Sequence, residues 1–95
     1  MTPQEILEGA ARLIEHGPLP WGKANPPGTR IGEDQTCIVK AICSTYPLVP
    51  EKVWEALNTS CGTSQTSDLP LWNDAPERTK EEVILALYDA KRYLP

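Results

Sequence analysis

The sequence predicts an all-α fold, a small bundle of four helices, and three observations point to it. Two Thr-x-x-Glu capping boxes, Thr2 with Glu5 and Thr79 with Glu82, each open a stretch of apolar residues at helical spacing. Between them lies a nearly all-apolar run, Cys37-Ile38-Val39 and Ala41-Ile42-Cys43, followed by a shorter one built on Val53, Trp54 and Leu57. No strand, internal repeat or heptad seam is predicted.

The first helix spans residues 2 to 16. Thr2 is the N-cap, Pro3 takes the first helical position and Glu5 closes the capping box, while Gly17 and Pro18 stop the helix. Ile6, Leu7, Ala10, Ala11, Leu13 and Ile14 make its apolar face, and Glu5, Glu8, Arg12 and Glu15 its polar stripe. The segment 17 to 32, "GPLPWGKANPPGTRIG", holds four Pro and four Gly and forms a long loop. Long loops in compact domains tend to carry function, so Trp21, Lys23, Asn25 and Arg30 become candidates for contact with a partner. Trp21 can equally fold back as a lid on the small core.

A second helix is expected from Glu33 or Asp34 to Thr45. Its polar residues Thr36, Lys40 and Ser44 recur every four positions, and so narrow a stripe predicts the central helix of the bundle. Tyr46-Pro47 ends it, and a third helix follows from about 50 to 58, started by Pro50. The hydroxyl-rich stretch "TSCGTSQTSD" then reads as a mobile loop. The last helix begins after Thr79, buries Val83, Ile84, Leu87, Ala90 and Leu94, and places Lys91 and Arg92 near its C-terminus, where the helix dipole favours cations.

A chain of 95 residues is read as a single helical domain, 1-95. Its 9 Lys and Arg against 13 Asp and Glu give a net charge of -4, which argues against nucleic acid as a partner. The acidic excess is concentrated in the second half and suits a basic protein better than an anionic one. No signal peptide and no membrane-length apolar run is present, so a cytoplasmic protein is expected.

Three cysteines without CxxC spacing signal neither a disulfide framework nor a zinc site. Cys37 and Cys43 lie about 240° apart around a helix and cannot readily chelate one ion. No metal and no cofactor is expected. A nucleophilic Cys37 with His16 as base and Asn73 or Asp74 as orienter is a weak enzyme reading, because His16 at a helix C-terminus has an ordinary dipole explanation.

The stretch "WNDAPERTKEE" is the most conspicuous in the chain. Asp74 is expected to cap a short turn through Glu77, Trp72 to anchor the loop, Asn73 to satisfy loose backbone groups, and Arg78 to pair with Asp74 or a nearby carboxylate. As binding residues, Trp72, Asn73, Asp74 and Arg78 join Trp21 and Arg30.

The segments "EILEGAARLIEHG", "EDQTCIVKAI" and "WNDAPERTKEEVILALYDAKRYL" resemble a family of small helical proteins of uncharacterised function from actinobacteria and their phages. Cys37, Trp72, Asn73, Asp74, Arg78 and Thr79 carry the likeness; Lys40 replaces the small residue usual before Ala41. The resemblance implies a phage or prophage origin and a setting in the host cytoplasm, with no activity attached. A non-enzymatic protein that binds a host protein is the first expectation. A module that holds a small polar ligand at the Trp72-Asn73-Asp74/Arg78 segment is the second. Leu85 and Tyr88, if exposed, would allow a homodimer in place of a monomer.

Overall fold

A computed structural model describes residues 1–95. The chain is all-helical, with five α-helices rather than the four expected: α1 Pro3–His16, α2 Ile38–Thr45, α3 Glu51–Cys61, α4 Leu69–Asp74 and α5 Lys80–Ala90. Single 3-10 turns, Thr66–Asp68 and Lys91–Tyr93, precede α4 and follow α5.

Both capping boxes form. In each, the Thr hydroxyl accepts the N3 backbone N–H and the Glu carboxylate accepts the N-cap N–H, at Thr2/Glu5 and at Thr79/Glu82. Those bonds hold both carboxyls below the usual carboxylate range, chiefly through the backbone N–H of Thr2 for Glu5 and of Thr79 for Glu82.

The central helix is α1, not the second as expected. It packs against α2, α3 and α5, and Ile6, Leu7, Ala10 and Ala11 are fully buried. One contiguous core of 15 buried residues gathers these with Ile38, Ile42, Val53, Leu57, Leu69, Val83 and Leu87, among others. Each large aliphatic side chain there contributes about 1.5–3 kcal/mol. α2 packs on α1 and α4 and leaves Cys43 exposed. Helices α1 and α2 approach closely at Gly9, where an added Cβ would lie 2.7 Å from the Thr45 methyl.

α2 also starts later than its acidic prelude suggests. Thr36 is buried and bridges to Trp21 in parallel: Gly22 N–H donates to Thr36 O, and Thr36 N–H to Pro20 O. This pairing holds the segment extended through Cys37, which becomes the N-cap, its sulfur accepting the Lys40 N–H at 3.5 Å. The tertiary contact outweighs the local helical signal of Glu33 and Asp34.

Thr59, Ser60 and Cys61, read as loop, extend α3. The hydroxyls that compete for backbone partners are accommodated within the helix: the exposed Thr59 donates back to Glu55 O one turn earlier, and Ser60 donates to Ala86 O on α5. Gly62 then ends the helix at φ 75°, a left-handed conformation that glycine adopts without strain. No helix is long and apolar enough to cross a membrane.

Candidate functional site

The 17–36 segment lies over α4, and the residues singled out in the sequence meet there. Asn73, at the end of α4, is completely buried. Its Oδ1 accepts the Trp21 indole N–H at 2.8 Å and the Ile38 backbone N–H at 3.1 Å. Its Nδ2 donates to Gly22 O at 3.1 Å and to Asp74 Oδ1 at 2.9 Å. One amide thus ties the loop, the start of α2 and α4 together.

Asp74 does not cap the Ala75-Pro76-Glu77 turn as expected. It belongs to α4, points into the loop and accepts backbone N–H groups from Ala24 at 3.2 Å and Gly28 at 2.9 Å. Gly28 sits at φ 84°, and an added Cβ would fall 2.7 Å from Leu71 Cδ2, so both backbone and space favour glycine. Lys23 completes the arrangement by donating to Ala75 O at 2.6 Å and Pro76 O at 3.0 Å. No buried side-chain polar atom lacks a partner. Buried polar groups left unpaired are costly, so full satisfaction turns this network into a clasp for an otherwise irregular loop.

Arg78 finds its carboxylate in Glu82, at 3.0 Å, not in Asp74. Its Nε donates to Trp72 O at 2.9 Å, and its guanidinium lies 4.0 Å from the centre of the Trp72 ring. Trp72 is half-buried and borders a shallow depression of about 330 Å³ with Ser60, Glu82, Leu85, Ala86 and Asp89. Leu85 is 66% exposed there, while Tyr88 is half-buried.

Trp21 is half-buried, whereas Arg30 is exposed and takes part in none of the chain's ion pairs. Of the six candidate binding residues, then, Trp21, Asn73 and Asp74 are joined in one network. Trp72 and Arg78 form an adjoining stack, and Arg30 stands apart on the loop.

Arg30 borders a second concavity, of about 300 Å³, between the loop, the start of α2 and α4, with Ala24, Ile31, Cys37, Val39 and Pro70 among its walls. Ile31, Val39 and Pro70 had no functional signal in the sequence; only their spacing around Arg30 and Cys37 in the folded chain brings them together.

The Cys37 thiol is pushed up from its ordinary value, mainly by burial and further by the nearby Asp74 carboxylate. That is the reverse of thiolate activation. His16 lies on the exposed surface beside Glu15. No three or more His, Cys, Asp or Glu side chains converge in a way that would hold a metal ion.

A family model described as a family of unknown function, DUF6197, matches residues 1–93. The chain belongs to DUF6197. No curated protein and no solved structure matches it. Within this DUF6197 chain, the Trp-Asn-Asp and Arg-Thr segments have a structural explanation, the clasp on the loop and the cap of α5.

Proposed function

We propose that this protein is a non-enzymatic binding protein that acts by contact with a basic surface of another protein. The observation that carries the reading is the Trp72–Leu85 depression. Leu85 projects into solvent beside the half-buried Trp72, and the rim is supplied by Glu82 and Asp89. An apolar centre with a charged rim is the arrangement by which protein interfaces anchor and orient a partner. Glu82 and Asp89 are paired with Arg78 and Arg92 within the chain, so the rim supplies orientation, and it is the acidic excess of the whole protein, a net charge of -4, that favours a basic partner by speeding encounter.

The phage or prophage origin implied by the resemblance makes a host cytoplasmic protein the partner of this reading. By contrast, the polar groups of Asn73 and Asp74 are engaged inside the fold, which favours the Trp72–Leu85 face over a polar ligand held at Asn73.

The test is affinity capture from actinobacterial lysate with wild type and Leu85→Glu. Leu85 is exposed, so the variant is expected to retain the helical circular dichroism spectrum. The expected result is one basic protein retained by wild type, released by moderate salt and lost with Leu85→Glu. Retention that ignores both the substitution and salt overturns the proposal, as does sedimentation showing a Leu85-dependent homodimer that occupies the face.

A further inference from the structure

The concavity beneath Arg30 combines features that the clasp and the Trp72–Leu85 face do not use. At about 300 Å³ it lies at the small end of ligand sites and suits a molecule much smaller than a nucleotide. Ala24, Ile31, Val39 and Pro70 line it with apolar surface, and the Cys37 thiol adds a wall held in its neutral form by burial.

Charge around the concavity is sharply divided between free and engaged groups. Lys40 lines the concavity, but its ammonium donates to the carbonyls of Gly32, Glu33 and Gln35, at 3.3, 3.4 and 2.7 Å. Asp74 is fixed by the Ala24 and Gly28 N–H groups. The first turn of α2 offers no free anion cradle, because the Ile38 N–H goes to Asn73 and the Lys40 N–H to Cys37. That leaves the unpaired Arg30 guanidinium as the group able to meet an anion, while Glu33 and Asp74, also in the lining, oppose negative charge there and oppose a dianion more than a monoanion.

We infer that this concavity binds a small amphipathic monocarboxylate, its apolar body against Ala24, Ile31, Val39 and Pro70 and its carboxylate on Arg30. A guanidinium meets a carboxylate through two parallel N–H donors, which fixes the orientation of the ligand at the mouth. This site is separate from the protein-binding face, and neither reading depends on the other.

The test is a titration of the whole 15N-labelled chain with octanoate, followed by heteronuclear NMR. Saturable shifts are expected at the amides of Ala24, Ile31, Val39 and Lys40, with those of Ser60 and Leu85 unmoved. Arg30 is exposed, so Arg30→Gln keeps the fold and should weaken octanoate about tenfold, the effect of losing one charge-assisted contact of roughly 1.4 kcal/mol. Octyl phosphate, a dianion, should bind more weakly than octanoate.

Absence of saturable shifts with octanoate into the millimolar range overturns the inference. Unchanged affinity in Arg30→Gln overturns the assignment of the carboxylate to Arg30, and tighter binding of octyl phosphate overturns the preference for a monocarboxylate.

Discussion

Leu7 and Asn73 are both completely buried, yet they hold the molecule together in opposite ways. Leu7 lies with Ala10, Ala11 and Ile14 on the apolar face of α1, which packing against any other helix would bury. Asn73 is buried because hydrogen-bonding groups from the loop and α2 come to it from 35 to 52 residues away in sequence. The bundle is stabilised by non-directional apolar contact, the clasp by directional bonds that must all be made at once. Removing an apolar side chain weakens the whole, whereas removing a clasp residue strands polar partners in one region.

That difference can be broken open by substitution. Leu7→Ala should cost about 2–5 kcal/mol in urea denaturation, with a two-state transition and no single region released first. Asn73→Ala should cost about 2–4 kcal/mol, since the Trp21 N–H and Ile38 N–H lose their acceptor. Its signature is regional: amide exchange at Ala24, Gly28 and Ile38 accelerates well before exchange in α1. If exchange in α1 and the loop accelerates equally in Asn73→Ala, the clasp is not a separate unit.

Arg78→Ala should cost about 1–2 kcal/mol, from the stack on Trp72 and the bond to Trp72 O, and the change is readable as a shift in Trp fluorescence together with a lower urea midpoint. Thr2→Ala removes one capping box and should cost about 1 kcal/mol.

A last effect, confined to alkaline pH, sharpens the comparison. Burial pushes the Cys61 thiol up to about 12 from an ordinary value of 9.0. Between these values the folded chain keeps a proton that the unfolded chain releases, so the contribution of Cys61 is full below pH 9 and falls as pH rises toward 12. Thermal unfolding of wild type should therefore lose more stability over that range than Cys61→Ala does. Equal slopes would remove Cys61 from the account.

What could be read in the sequence follows the same division. The first and last helices were legible because their caps and apolar faces are encoded within a few residues of each other. α4 was not: "LPLWND" is six residues long, too short for a period to show, and it is helical because Leu69 enters the core and Asn73 meets the loop. Glu33 and Asp34 resemble a first helical turn, but the bridge between Trp21 and Thr36 overrides them. At the candidate site, Asn73 and Asp74 were conspicuous as polar residues beside a Trp, and their expected task of satisfying backbone groups proved correct in kind for Asn73. Their partners, Gly22, Ala24, Gly28 and Ile38, carry no mark in the sequence, because a backbone N–H or carbonyl is the same at every residue.

The clasp also bears on the order of events when the chain folds. Its bonds join positions as far as 53 residues apart, and each contributes little until the directional set is complete, whereas the apolar contacts of α1 with α2 and α5 need no such alignment. A loop that settles onto α4 only after the bundle has formed leaves Asn73 unbonded when the barrier to folding is crossed. Weakening the clasp should hasten unfolding and leave the folding rate almost unchanged. The most distinctive residues of this sequence then set how long the native state lasts, not how quickly it is reached.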